Sequence, residues 1–254
     1  MKLYVEEHGE GHPLLLLTGL GYAIWSWQRQ LPAWSRRFHC IAVENRGSGR
    51  SPKPPGPYSL EELADDAAEA LAGRRAHVAG FSMGGYIAQT LALRHPQLVE
   101  RLVLVCTGAG GPGYLETPAE TIAAWEANAT RTPAEFARAT MPLSFAPGWT
   151  DDHPEEFEAL LADRLEHPTP PEGWRAQYDA CWRFVEQPTS VEEIAAPTLV
   201  AHGDADRIVP HGNGVDLARR IPDARFESFP GAGHLLFIED APRFNAMVAS
   251  FLTG

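Results

Sequence analysis

Three residues far apart in the chain could together carry out acyl transfer: Ser82, Asp206 and His234. Ser82 lies in Gly80-Phe81-Ser82-Met83-Gly84, a G-x-S-x-G pattern. Ahead of it, Ala76-His77-Val78-Ala79 reads as a buried strand. Behind it, Gly85 to Arg94 places apolar residues at helical spacing. A serine on such a strand-to-helix turn is lifted clear of the sheet. The flanking glycines are needed because side chains there would meet the neighbouring strand and helix. The five residues alone are a weak signal, since chance supplies roughly 0.1 such match in a chain of this length.

A serine becomes a nucleophile when a base lies within hydrogen-bond reach and an acid orients that base. Two later segments offer both. His202-Gly203-Asp204-Ala205-Asp206-Arg207-Ile208-Val209-Pro210 follows a strand at Thr198, and Gly231-Ala232-Gly233-His234-Leu235 follows one at Ala224. Both fall at the C-terminal ends of strands, where open α/β sheets place their sites. Two aspartates compete for the acid role. Asp204, at the strand terminus, is placed to accept backbone N–H bonds and hold the loop, whereas Asp206 lies further out.

These residues need a scaffold, and the chain spells one out. Leu3–Glu6, Leu14–Thr18, Phe38–Val43, Ala76–Ala79, Leu102–Val105, Thr198–Ala201 and Ala224–Phe229 read as strands. Helices are expected at Ile24–Arg37, from Ser59 to about Ala72, through the elbow to His95, near Val215–Ile221 and at Ala241–Leu252. Ser59-Leu60-Glu61-Glu62 fits a capping box. Such alternation implies a parallel sheet covered by helices on both sides. It stops at Gly108. From there to about Pro188 only helical segments appear, near 118–130, 133–141, 154–166 and 171–185, most of them opening at a proline. They read as a helical insertion over the sheet.

Composition narrows the function. A chain of 254 residues with 44% hydrophobic and 21% charged residues suits a soluble globular protein. A net charge of -12 argues against nucleic acid and anionic membranes as partners. No apolar run approaches the roughly 20 residues of a membrane span. The N-terminus lacks a signal-peptide pattern, and Cys40, Cys106 and Cys181 read as free thiols, so a cytoplasmic location is expected.

With the elbow, three further motifs complete an ordered set: Arg46-Gly47-Ser48-Gly49-Arg50-Ser51; Gly203-Asp204-Ala205-Asp206 with Val209-Pro210; and Gly233-His234 with Glu239 and Pro242. On these four motifs the chain resembles, over essentially its whole length, the α/β-hydrolases of the small capped kind. The resemblance implies a mostly parallel eight-stranded sheet with helices on both faces and a helical cap. Residues 1–107 and 191–254 would form the core, and 108–190 the inserted cap. It implies Asp206 as the acid, and an oxyanion hole made by the N–H groups of Met83 and Leu20. The family usually has His-Gly where this chain has Thr18-Gly19. The donor is backbone, so it survives, but the anchoring of that loop is left open. Glu44 stands where the family commonly has Asp and reads as structural.

Other chemistries fit less well. His202-Gly203-Asp204 has no partners at zinc spacing, so no metal is expected. Gly108-Ala109-Gly110-Gly111-Pro112-Gly113 matches G-x-G-x-x-G, but Pro112 and the lack of an immediate helix favour a hinge over a phosphate cradle. The tryptophans by default fill the core or pack the insertion. Taken together, Trp25, Trp125, Trp149 and Trp182 suggest an apolar substrate pocket. The expected function is a serine hydrolase cleaving a small carboxylic ester through an acyl-enzyme, as monomer or homodimer and without cofactor. A lactonase is the alternative, since Pro170-Pro171-Glu172-Gly173-Trp174 is similar to enol-lactonase relatives. C–C bond hydrolysis and a ligand receptor with vestigial hydrolysis are further readings. Relatives doing dehalogenase or epoxide hydrolase chemistry carry a carboxylate at the elbow, which disfavours both.

Overall fold

Continuous apolar runs form the middle of the sheet, where both faces are covered. The computed structural model describes residues 1–254. Its strands are β1 Tyr4–His8, β2 His12–Leu17, β3 Phe38–Glu44, β4 Ala76–Phe81, β5 Val99–Val105, β6 Thr198–Gly203 and β7 Ala224–Phe229. They lie in the order β1-β3-β2-β4-β5-β6-β7. β1 runs antiparallel to β3, and every other pairing is parallel. All of β4 and all of β6 are buried.

The sheet therefore has seven strands where the resemblance implied eight. Each strand-like stretch of sequence supplies one strand, and none is left over. The edge is closed by β1, which folds back through a turn with Gly9 at φ +78° and Gly11 at φ +115°. Those left-handed values suit glycine, which lacks the Cβ that would clash.

The helices are α1 Leu31–Trp34, α2 Leu60–Ala70, α3 Met83–Arg94, α4 Ala119–Asn128, α5 Pro133–Thr140, α6 Trp149–Asp152, α7 Pro154–Glu166, α8 Pro171–Glu186, α9 His211–Arg220, α10 Leu236–Glu239 and α11 Ala241–Thr253. Ser59 caps α2, with its side chain and that of Glu62 forming a reciprocal capping box. Five of these helices, α4 to α8, lie between β5 and β6. The single helix expected over Ile24–Arg37 is instead a 3-10 turn at Ile24–Trp27 followed by the one-turn α1. Pro32 has no N–H to donate, so an uninterrupted helix cannot pass through it.

Alternation along the strands divides the core in two. Leu14 and Leu16 of β2 face one cluster, with Trp27, Phe237 and Phe244. Leu15 and Leu17 face the other, with Leu63 of α2 and Ile87 and Leu91 of α3. The strand order reverses at the β2–β4 pair, where Leu17 lies opposite Gly80. Loops leaving the C-terminal ends of β2 and β4 diverge there and open a crevice.

Glycine at position 84 is a steric requirement of this junction. A Cβ there would strike the carbonyls of Leu17 and Thr18, and one at Gly80 would strike Gly84. Gly84→Ala is expected to lower stability by about 3 kcal/mol in denaturant unfolding. Gly113→Ala, where nothing lies within 4 Å, is expected to shift it by less than about 0.5 kcal/mol.

Candidate active site

Ser82 follows β4 directly and precedes α3. Its backbone stands at φ 55°, ψ −122°, a region a residue with a Cβ occupies only when its surroundings enforce it. The enforcement is visible. The Ser82 N–H donates to the Val105 carbonyl at 2.9 Å, and Gly85 and Tyr86 N–H groups donate to the Ser82 carbonyl at 2.8 and 3.2 Å. Thr107 Oγ1 adds a third donor to that carbonyl at 3.0 Å. The side chain is left at the wall of a cavity that His234 also lines.

His234 sits in the loop between β7 and α10, almost wholly buried. Its Nδ1 lies 2.8 Å from Oδ2 of Asp206, which leaves Nε2 on the opposite side of the ring. Asp206 lies in the loop after β6. Its Oδ1 accepts N–H bonds from Ile208 at 2.8 Å and Val209 at 3.0 Å. His202 Nε2 stands 3.2 Å from Oδ2. Burial opposes charge on this carboxyl. The electrostatic pull of His234 and the hydrogen bonds of His202 and His234 outweigh it and hold Asp206 well below the usual carboxylate range. An anion so held fixes the imidazole tautomer with its proton on Nδ1, and Nε2 is free to accept.

Asp204 does something else. Its Oδ1 accepts the Gly231 N–H at 2.6 Å, which ties the β6 loop to the β7 loop that carries His234. Glu239, at the end of α10, holds the same loop from the other side. It accepts the N–H groups of Gly233 at 3.1 Å and Ala146 at 3.2 Å.

The N–H of Met83 is the first of α3 and has no intrahelical acceptor. The N–H of Leu20, in the loop after β2, likewise donates to no backbone acceptor of the chain. Leu20 lines the cavity. Thr18 anchors this loop through Asn45, whose Nδ2 donates to the Thr18 carbonyl at 2.9 Å and to its Oγ1 at 3.1 Å. Gln177 of α8 finishes the anchoring. Its Oε1 accepts the Gly21 N–H at 2.9 Å, and its Nε2 donates to the Arg46 carbonyl and to Ser48 Oγ, both at 2.7 Å.

The cavity, about 90 Å³, is walled mainly by hydrophobic side chains, eight of its 20 lining residues being Trp, Tyr or Phe. Trp125 and Trp182 line it as expected from sequence, but Trp25 and Trp149 do not. Trp149 is stacked on Phe145, with ring centroids 4.3 Å apart, inside the core. Trp25 packs on Tyr22 with centroids 5.3 Å apart, behind the cavity wall rather than in it. In their place stand Trp174 and Tyr178. Trp174, Tyr178 and Trp182 recur every fourth residue on α8, and their rings follow one another in near-parallel planes. That spacing was available in the sequence as a signal of one helix face. Glu239 stands in the Gly233-His234 motif, whereas Gln177 and Arg164, the last also in the cavity wall, carry no comparable signal.

Two groups of three donor atoms come within 4.8 Å of one another: His12, His77 and Glu100, and Cys106, Asp206 and His234. The first lies at the opposite end of the sheet from Ser82. There burial, helped by the neighbouring His12, pushes His77 down to about 4. In the second, burial pushes the Cys106 thiol well up, and both Asp206 oxygens already accept hydrogen bonds. All three cysteines are free, and burial pushes Cys40 and Cys181 up to about 12. None is poised as a thiolate nucleophile.

A left-handed serine between strand and helix, with aspartate and histidine on the loops after β6 and β7, is the arrangement of a hydrolase. The chain belongs to the α/β-hydrolase fold family, whose model matches residues 12–241. Among its relatives is the putative carbamate hydrolase RutD of Azorhizobium caulinodans, 31% identical over 98% of this chain and 94% of that one. Among solved structures, the enol-lactonase from Burkholderia xenovorans LB400 superposes with a TM-score of 0.85 at 28% identity, covering 99% of this chain and 96% of that one. A thermophilic esterase from Thermogutta terrifontis gives 0.83 at 28% identity, over 99% and 93% of the respective chains. No helix is long and apolar enough to cross a membrane.

Burial pushes the Glu239 carboxyl up from 4.5 to about 7, against the pull of the Ala146 and Gly233 N–H groups. The folded state thus holds this proton more tightly than the unfolded chain does. Its contribution to stability is full below about 4.5 and lost as pH rises towards 7. Glu239→Gln keeps an acceptor for both N–H groups and removes the titration. It is expected to flatten the fall in thermal midpoint between pH 5 and pH 8 relative to wild type.

Proposed function

We propose that the chain is a serine hydrolase that cleaves a small carboxylic ester through an acyl-enzyme. In this reading Ser82 is the nucleophile, His234 the base and Asp206 the group that orients it. The observation that carries the proposal is the 2.8 Å bond between His234 Nδ1 and the buried Asp206 carboxylate, in a residue sharing one cavity with Ser82.

His234 Nε2 takes the Ser82 proton as Oγ attacks the carbonyl carbon. The carbonyl oxygen becomes an oxyanion, and the N–H groups of Leu20 and Met83 receive it. The histidine then protonates the departing alkoxide, which leaves as the alcohol and gives the acyl-enzyme. Water, deprotonated by the same nitrogen, attacks the acyl carbon, and the second tetrahedral intermediate collapses to release the acid and restore Ser82. Asp206 stays ionised throughout and stabilises the imidazolium that forms at each stage. In the same reading, the helices of residues 108–190 act as a cap over a core of 1–107 and 191–254. Aromatic residues of that cap choose the acyl group.

A lactone is the second substrate reading, supported by the fold shared with an enol-lactonase. A lactone is a cyclic ester, so the alcohol stays attached and the steps are otherwise the same. The carbamate hydrolase among the relatives points to a related carbonyl derivative open to the same attack.

Two measurements test the reading. Against p-nitrophenyl acetate and butyrate, Ser82→Ala is expected to lower kcat by roughly 10³-fold or more, and Asp206→Asn by about 10³ to 10⁴-fold. Equal, slow turnover by wild type and Ser82→Ala would sink the enzyme proposal. A fluorophosphonate is expected to label Ser82 and no other residue, as mapped by peptide mass spectrometry.

A further inference from the structure

The cavity wall holds a cation that nothing in the chain neutralises. Arg164, in the last turn of α7, lays its guanidinium over the Tyr22 ring at 4.7 Å. It enters no ion pair, whereas Arg138 on α5 and Arg175 on α8 pair with Glu158 and Asp179. No aspartate or glutamate stands in the wall of this cavity. Tyr22 also links the arginine to the elbow. Its ring meets Phe81 edge-on at 5.5 Å, and Phe81 precedes Ser82. Two ring contacts, of 4.7 and 5.5 Å, thus link the guanidinium to the residue before Ser82, and Arg164 and Ser82 line the same cavity.

A second cavity, of about 270 Å³, adjoins the first and shares Phe136, Arg164 and Trp174 with it. Arg131 and Arg175 lie in its wall, again with no aspartate or glutamate. The chain as a whole carries a net charge of -12. Two neighbouring cavities free of acidic side chains and sharing an unpaired arginine thus run against the charge of the molecule. A half-buried guanidinium among aromatic rings has lost hydration and gained no partner, which leaves its five donors for a ligand. Its planar fork matches a carboxylate in a bidentate pair, and low local polarity strengthens such a pair.

We propose that Arg164 binds a carboxylate of the substrate. The substrate is then a monoanionic ester or lactone short enough for its free carboxylate and its scissile carbonyl to occupy one cavity. This rests on Ser82 being the nucleophile. The acyl chain lies along Tyr22 and the rings of α8, with the carboxylate at the junction of the two cavities. Arg131, in the wall of the second cavity, raises the local concentration of anions there.

The test compares two p-nitrophenyl esters of equal acyl length, the monoester of glutaric acid and the pentanoate. Wild type is expected to prefer the glutarate monoester by at least about ten-fold in kcat/KM, a fold-change typical of one charged hydrogen-bonded contact. Arg164→Met, whose stem still packs on Tyr22, should lower that ratio by about 10- to 100-fold, mainly through KM for the anionic ester. Arg164→Lys should restore part of the ratio. If Arg164→Met fails to fold, as judged by circular dichroism, Arg164→Lys carries the test. A charge without the fork should then lower the ratio several-fold. An unchanged ratio in the folded variant, or a wild type that prefers the pentanoate, overturns the proposal.

Binding of glutarate, followed by tryptophan fluorescence, keeps the two readings apart. It should weaken at least about ten-fold when Arg164→Met is added to Ser82→Ala. Equal affinity in the two backgrounds overturns the Arg164 proposal. If Ser82→Ala hydrolyses both esters as fast as wild type, the nucleophile assignment fails, and glutarate affinity still reads Arg164.

Discussion

The site depends on one strained backbone position. Ser82 occupies φ 55°, ψ −122°, and the conformation exists because three glycines make room for it and four hydrogen bonds hold it. Gly80 lets α3 approach β4, Gly84 lets α3 approach β2, and Gly85 lies against Thr107. Once the chain takes this turn, much else is determined. The serine side chain faces the cavity, the Met83 N–H becomes the first of a helix, and α3 is steered back over the sheet between β2 and β5. Strain of this kind is stable where many rigid contacts over-determine it, and the C-terminal ends of β2, β4 and β5 are wholly buried.

Charge is managed by the opposite means. Asp206 and His234 are brought together out of water, where an unpaired carboxylate would be costly. Asp206 Oδ1 accepts two backbone N–H groups and Oδ2 bonds His234 Nδ1, while His202 Nε2, itself bonded to the Val209 carbonyl at 2.9 Å, lies 3.2 Å from Oδ2. The second aspartate of the same loop, Asp204, is exposed and holds Gly231 instead. Two identical side chains two residues apart thus differ in what they do because one points into the fold and the other along its surface.

Much of this could be read from sequence, for a physical reason. A strand buried on both faces is a run of Leu, Ile and Val, and Leu14–Leu17 and Leu102–Val105 cannot be much else. The α/β-hydrolase family follows from four motifs whose glycines and charges answer to backbone geometry, and the family comparison agrees. What stayed hidden depends on rotation and contact. Pro32 divides a segment whose apolar spacing looked continuous. Trp149 and Trp125 are the same residue type in the same helical region, yet one stacks on Phe145 and the other faces the cavity. Arg164 lies on a helix studded with charges, where nothing local distinguishes the one that turns inward. Gln177 is a single amide whose three partners lie more than a hundred residues away.

That glutamine has a kinetic consequence. By bonding Gly21 on one side and Arg46 and Ser48 on the other, it makes α8, the loop after β2 and the turn after β3 a single block. A doorway opened by swinging α8 would break these bonds and release Gly21, one residue from the free Leu20 N–H. Such a movement would loosen the loop that carries Leu20. α4 and α5, which follow the glycine-rich stretch 108–113, take no part in the Gln177 bonds and meet α8 through the rings of Trp125 and Phe136 on Trp174. Displacing those two helices would leave the loop after β2 and its Leu20 N–H where they are.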